Sequence, residues 1–425
     1  MTYLFETEEH AALREQVARF AQNQIAPHAQ AFERAGEFPI DLYKQAGAAG
    51  ILGVGFPVEL GGSGGDITHQ LVAGEAMVLH GRSVGTAVGL GSHTIALPLI
   101  LSFGSEAQKQ RFVPQILSGD LVAALAVTEP DGGSDVAALQ TRARQQGSEY
   151  LVNGAKLYIT SGVRADVIVT AVRTNPDPAA RHMGLSLLLV EKHHPGFSAS
   201  RKLDKMGWSA SDTAELSFAD CRVPAQNLLG EEGGAFFALV RNFAAERLLL
   251  SGQCVAIAEL ALAESVAFAK SRSTFGKPLC RHQVIRHKLA DMATRLAAAR
   301  ALVGECAVLC QRQEARMKPN PPEDPVGRRT WPQAEHTTAS AYRPDAESNA
   351  AWSRTEVGMS QLAMCKNTAT DMCSFVVDQA VQIHGGLGYM RETLVENLYR
   401  DARLYPIGGG TREIMNEIIA QQEGY

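Results

Sequence analysis

The sequence predicts a multidomain α+β protein: a helical block, a β block and a second helical block, in that order. Three observations carry this. Apolar residues recur at helical spacing up to about residue 120 and again from 233. Short β-branched or alternating runs, separated by Gly, Asn, Asp and Pro, fill the stretch between. Phe236 to Phe275 is rich in Ala, Leu, Arg and Glu and holds no proline, so it reads as one long helix. The expected domains are 1–120, 121–232 and 233–425, in keeping with about two or three domains for this length.

In the first block, Leu13, Val17, Phe20 and Ala21 form an apolar stripe that Pro27 stops. Residues 53–65 (GVGFPVELGGSGG) form a turn-rich connector. Helical pattern resumes over Thr68–His80 and Ser83–Phe103, and Ser105 with Gln108 forms a capping box for the next helix. In the second block the strand runs are Leu121–Val127, Tyr150–Val152, Lys156–Ile159, Asp166–Val172, Leu185–Val190 and Ala214–Val223. Their close spacing implies an antiparallel barrel or sandwich. The alternation in AELSFADCRV gives its strand one wet and one buried face. In the third block, helices are expected over Gln283–Leu309, Val357–Gln382 and Thr411–Gln421. The polar, Pro-rich insert at 311–354 is expected to be a mobile loop, with an assembly contact as the alternative.

Composition narrows the function. Charged residues make up 20% and the net charge is −5, with no basic block dense enough to track phosphates, which disfavours nucleic acid. The N-terminus lacks a signal peptide's basic flank and apolar core. No run of about eighteen apolar residues occurs, so no membrane span is expected. Seven cysteines without a CxxC pair suit free thiols in a reducing, cytoplasmic setting. Cys306 with Cys310, and His193 with His194, are weak metal candidates, and no metal is expected. No GxGxxG or GxxxxGK[ST] is present.

The long helix carries one candidate for chemistry. Glu246 has Asn242, Phe243, Leu249 and Leu250 as helical neighbours. It is either a solvated carboxylate beside an apolar stripe or a buried one. If buried, desolvation raises its pKa and makes it a usable general base.

Five clusters then line up: LAVTEPDGGSD (Leu125–Asp135), KLYITSG (Lys156–Gly162), RSTFGK (Arg272–Lys277) followed by His282–Gln283, QIHGGLGY (Gln382–Tyr389) and YPIGGGTREIM (Tyr405–Met415). Together they resemble the acyl-CoA dehydrogenase family of flavoproteins, over nearly the whole chain except the insert. The resemblance implies an N-terminal helical domain, a middle antiparallel β-barrel domain and a C-terminal four-helix-bundle domain. It implies FAD as cofactor, an acyl-CoA substrate, electron-transferring flavoprotein as acceptor, and a homotetramer or homodimer. It places Leu125, Val127, Thr128, Tyr158, Ile159 and Thr160 at the flavin, and Ser134 where flavin and substrate meet. Arg272, Phe275 and Gln283 would contact the FAD of a neighbouring subunit. Gln382 and Gly386 would carry its pyrophosphate, and Thr411 and Glu413 make the last FAD contacts. Glu129, Asp131 and Asp135 read as turn caps.

One departure bears on the base. Many family members carry it as a Glu just before the last Gly-Thr, where this chain has Gly409. A smaller branch, including long-chain and isovaleryl-CoA dehydrogenases, places it on the long helix before an Arg. Glu246–Arg247 matches that place, and 201–232 also resembles the long-chain branch. The branch points to medium-to-long or branched acyl chains. Glu246 is therefore the expected base. Arg247, Gly409 and Gly410 are expected at the substrate, the Gly409 N–H donating to the thioester carbonyl. Arg247 either positions substrate or pairs with the base. Gly409→Glu is expected to restore some activity to Glu246→Gln. The rival readings are an oxidase passing electrons to oxygen and a silent CoA-ester-binding member of the family.

Overall fold

The computed structural model describes residues 2–317 and 358–425. Most of the 311–354 insert lies outside them; residues 311–317 complete a helix. The N-terminal block holds α1 (Glu8–Gln24), α2 (Ala29–Ala35), α3 (Asp41–Ala48), α4 (Ile67–Gly81), α5 (Val84–Leu90), α6 (His93–Phe103) and α7 (Glu106–Leu117). Pro27 opens a short 3₁₀ turn after α1. The helix expected over Ser83–Phe103 is two helices, parted at Gly91–Ser92, where Ser92 Oγ donates to the Ala123 carbonyl at 3.1 Å. The α7 capping box forms as the sequence implied, with Gln108 also reaching the Gln226 and Leu228 carbonyls.

The middle block holds β1 (Ala123–Ala126), β2 (Arg142–Gln146), β3 (Glu149–Thr160), β4 (Val167–Arg173), β5 (Leu185–Glu191), β6 (Phe197–Lys202), β7 (Thr213–Pro224) and β8 (Leu228–Leu229). They form one sheet in the order β6-β7-β3-β2-β4-β5-β8, with β1 parallel to β4. The expected barrel does not form: the sheet stays open. The reason lies in how its faces are covered. Val167, Val169 and Ala171 of β4 pack with α6, α7 and the start of the long helix, while Ile168 and Val172 face a second apolar layer. Both faces of that half are buried without closure, as its near-continuous apolar sequence requires. The two runs expected at 150–152 and 156–159 are one strand, bulged at Asn153–Gly154, where Gly154 has φ +145°.

The C-terminal block holds α8 (Ala235–Ser271), a two-stranded turn of β9 (Ser273–Thr274) and β10 (Lys277–Pro278), then α9 (Gln283–Met317), α10 (Met359–His384), α11 (Leu394–Ala402) and α12 (Arg412–Glu423). The long helix stops at Ser271, four residues before Phe275, because Arg272 turns extended at ψ 130°. A core cluster joins α1, α3 and α4 to α8, α9 and α10, so N- and C-terminal helices share one interior. Two helical stretches, 84–103 and 235–271, are long and apolar enough to cross a membrane, against the expectation of none. More than half of the apolar window in each is buried inside the fold, which suits core helices.

Candidate active site

A cavity of about 170 Å³ opens where the three blocks meet. Apolar residues of α4–α6, including Leu71, Met77 and Ile95, form one wall. Leu249, Leu250, Gln253 and Glu246 of α8 form another, and Thr160 and Trp208 enter from the β block. A wider surface cleft of about 510 Å³, lined by Arg111, Asp166 and His193, contains none of the candidate catalytic, cofactor or substrate residues.

Glu246 projects from α8 into the cavity. It is half-buried, on the cavity wall. Desolvation therefore pushes its carboxyl above its ordinary pKa, and the nearby charges of Arg247 and Lys366 only partly oppose this. Among the described residues, none donates a hydrogen bond to it. Arg247 is buried: Nε donates to the Gly409 carbonyl at 3.3 Å, and Nη1 has no partner among the described residues. Gly409 and Gly410 follow with φ of +66° and +94°, a conformation that asks for glycine. Thr411 caps α12, its hydroxyl accepting the Ile414 N–H at 3.3 Å.

The flavin candidates of the β block also converge. The Leu157 N–H donates to the Thr128 carbonyl at 2.9 Å, joining LAVTE to KLYIT. Beneath them Lys156 is fully buried, donating to the Val127 carbonyl and to Glu129, both at 2.8 Å. Glu129 also accepts the Gln140 and Thr141 N–H groups, so it is a buried hub rather than a simple turn cap. Both groups are shifted downward, for different reasons. Burial drags Lys156 down to about 8, while the Lys156 ammonium and the hydrogen bonds outweigh burial at Glu129 and leave it low. Both therefore stay charged at neutral pH. Tyr158 is exposed at φ +63°, and Ser134 is exposed on the turn. Leu125 and Ile159 point their side chains into the core, which leaves only their backbone to touch a ligand.

The remaining candidates sit elsewhere in the chain. Arg272 lies 26 residues beyond Glu246 along α8, roughly 39 Å at about 1.5 Å per residue. Arg272, Phe275 and Gln283 are exposed. Gln382 and Gly386 share that end of the bundle, where His384 stacks on Phe268 at 4.3 Å. Glu413 is exposed on α12. The candidates thus fall into two groups toward opposite ends of α8.

His193 and His194 gather with Glu191, their ligand atoms lying within 4.8 Å of one another. Glu191 is already paired with Arg111 at 2.6 Å, and His194 Nδ1 accepts the Glu191 N–H. All seven cysteines are free thiols.

Lys366 had no place in the sequence reading. It is buried on α10, and its ammonium donates to the Gly408 carbonyl at 2.5 Å and to the Gly410 carbonyl. The available signal was a lysine flanked at helical spacing by Leu362, Ala363, Ala369 and Thr370, none of them charged.

The sequence matches the acyl-CoA dehydrogenase N-terminal domain over residues 7–120, the middle domain over 124–221, and the C-terminal domain over 234–327 and 336–424. The chain belongs to the acyl-CoA dehydrogenase family. It is 35% identical to the mitochondrial long-chain specific acyl-CoA dehydrogenase of Mus musculus, over 97% of this chain and 86% of that one. A crystal structure of a probable acyl-CoA dehydrogenase from Mycobacterium abscessus shares 43% identity at TM-score 0.86, covering 98% of this chain and 99% of that one. An acyl-CoA dehydrogenase from Bacillus anthracis complexed with FAD shares 30% identity at TM-score 0.86, covering all of this chain and 69% of that one. A structure described as the electron transferring flavoprotein of Acidaminococcus fermentans shares 32% identity at TM-score 0.84, covering 99% of each chain.

The cofactor of this family is FAD. The residues here fit it. A Cβ at Gly132, Gly385 or Gly386 would meet nothing within 4 Å, so bare backbone is open to a ligand. At Gly385 and Gly386, toward the same end of the bundle as Arg272, such backbone suits a pyrophosphate.

Proposed function

We propose that this acyl-CoA dehydrogenase converts a saturated acyl-CoA to the trans-2-enoyl-CoA, with Glu246 as the base. The observation that carries the reading is a carboxylate without hydrogen bonds, desolvated on the wall of an apolar cavity, beside a glycine turn. Glu246 takes the α-proton as the thioester becomes enolate-like. The N–H groups of the Gly409–Gly410 turn receive the charge that develops on the thioester oxygen. Leu71, Met77, Leu249 and Leu250 take the acyl chain and exclude water. Bound FAD supplies the acceptor for the hydride leaving the β-carbon. Thr128, Ser134, Tyr158 and Thr160 would hold it from this chain, and Arg272, Phe275, Gln283, Gln382 and Gly386 from a neighbouring subunit.

The separation along α8 supports the shared arrangement. Exposed Phe275, Leu387 and Tyr389 give an apolar surface for a partner subunit in a homotetramer or homodimer. Likeness to the Acidaminococcus fermentans structure supports electron-transferring flavoprotein as the acceptor. We place the reaction in fatty-acid β-oxidation in a cytoplasmic setting.

Glu246→Gln tests the reading. The variant keeps FAD, but substrate no longer bleaches the flavin band, and the rate falls by about 10²–10⁴. Rapid bleaching in that variant overturns the assignment. In the unaltered protein the ascending limb of kcat/KM sits above the ordinary carboxylate value of 4.5, because the free base must lose a proton that burial holds.

A further inference from the structure

Three consecutive carbonyls in the glycine turn are held by two buried cations. Lys366 takes the oxygens of Gly408 and Gly410, and Arg247 takes that of Gly409. In a trans peptide the C=O and the following N–H point in opposite directions, and no cis bond occurs among the described residues. Pinning these oxygens therefore turns the N–H groups of Gly409, Gly410 and Thr411 away from the cations. Among the described residues, the N–H groups of Gly409 and Gly410 have no acceptor. A run of three glycines has little conformational preference of its own. The hydrogen bonds to its carbonyls supply what the sequence of the turn does not.

We propose that Lys366 is a positioning residue: it orients the Gly409–Gly410 N–H groups toward the substrate thioester and, through its charge, holds Glu246 ionised. This rests on the reading of Glu246 as the base. The second role follows from placement. A Cβ at Gly409 would lie 3.8 Å from Lys366 Nζ and 3.7 Å from Glu246 Oε1, so ammonium and carboxylate flank one point. Arg247, on the base's own helix, is the other charge acting on Glu246. Across the cavity, α6 presents His93, which burial holds toward its neutral form. Lys366 itself feels Arg247, Glu246 and Cys254 of α8, and burial draws it down to about 8, so it remains a cation at neutral pH.

The test uses the FAD-loaded protein with Lys366→Met and Lys366→Arg. The probe is an enoyl-CoA labelled with ¹³C at the thioester carbonyl. Its carbonyl stretch in the bound state reads polarisation without turnover. In the unaltered protein the bound stretch lies below its value in solution. In Lys366→Met most of that shift is lost, kcat falls by about 10², and the ascending limb of kcat/KM moves alkaline. FAD content and the affinity for free CoA stay unchanged. Lys366→Arg keeps the charge but moves the donors: the limb stays in place while the carbonyl shift shrinks. An unaltered carbonyl stretch in Lys366→Met, or in Lys366→Arg should the first variant not fold, overturns the proposal. So does an unmoved limb in Lys366→Met. The carbonyl readout does not depend on the base, so turnover persisting in Glu246→Gln sinks the base assignment without touching it.

Discussion

A Cβ carried at position 409 would lie 3.7 Å from Oε1 of Glu246. The glycine turn and α8 therefore address the same small volume, which is why a base can be delivered from either. The exchange is not free in this chain, which tempers the rescue expected of Gly409→Glu. Gly409 has φ +66°, and the same Cβ would meet Leu250 Cδ1 at 2.7 Å. In Glu246→Gln, Gly409→Glu alone is expected to restore nothing. Adding Leu250→Ala removes the clash and should recover turnover to within about 10² of the unaltered rate. Flavin bleaching in the double and triple variants decides it; equal rates in both would show that Leu250 is not the obstacle.

Gly74 should set how much acyl chain the cavity accepts. It sits mid-helix in α4 on the cavity wall, and a Cβ there meets nothing within 4 Å. Gly74→Ala should stabilise the protein by about 0.5–1 kcal/mol through lower backbone entropy in the unfolded chain. Gly74→Leu should fill the space and lower kcat/KM for long acyl chains by about tenfold or more relative to short ones. A chain-length series on both variants is the measurement. An unchanged profile in Gly74→Leu would place the acyl chain elsewhere.

The block order and the capping box at Ser105 were legible because each rests on local pattern; local pattern left Glu246 open between a solvated and a buried carboxylate, and only the family resemblance singled it out. The sheet's closure was not: β2 (RARQQ) and β6 (FSASRK) carry too few apolar residues to announce themselves, and parallel pairing of β1 with β4 depends on a distant partner. Lys366 and Lys156 were missed for a related reason. A lysine reads as solvated unless the fold supplies acceptors, and theirs lie 42–44 and 27–29 residues away in sequence.

Lys156→Met should unsettle the flavin segment from beneath. It leaves Glu129 buried without its cation, at a cost of about 3–5 kcal/mol. The strand carrying Thr128 loses its anchor at the Val127 carbonyl. Denaturant unfolding should show the loss of stability, and FAD should wash out on dilution. Adding Glu129→Gln should return part of the stability, since the uncompensated charge is gone. No return would mean that the hydrogen bonds to Gln140 and Thr141 matter more than the charge.

Asp401 should make stability fall as pH rises. It is fully buried, accepting the Trp208 N–H at 2.6 Å and Asn397 Nδ2 at 2.9 Å. Burial and the carboxylate of Glu33 push it up to about 8 from 3.8, against the pull of Arg400 and Lys205. Between those two values the folded chain holds a proton that the unfolded chain has released. More protons on the folded side means stability is lost with rising pH, by at most about 1.4 kcal/mol per pH unit for one group. Asp401→Asn cannot titrate. It keeps the Trp208 bond and loses about 1 kcal/mol at the Asn397 contact, where two amide donors meet. Unfolding midpoints from pH 5 to 8 should therefore slope less steeply in the variant and lie above those of the parent, the two curves crossing on the acid side of that range. Parallel slopes would mean that Asp401 stays ionised in the fold, compensated by Arg400 and Lys205.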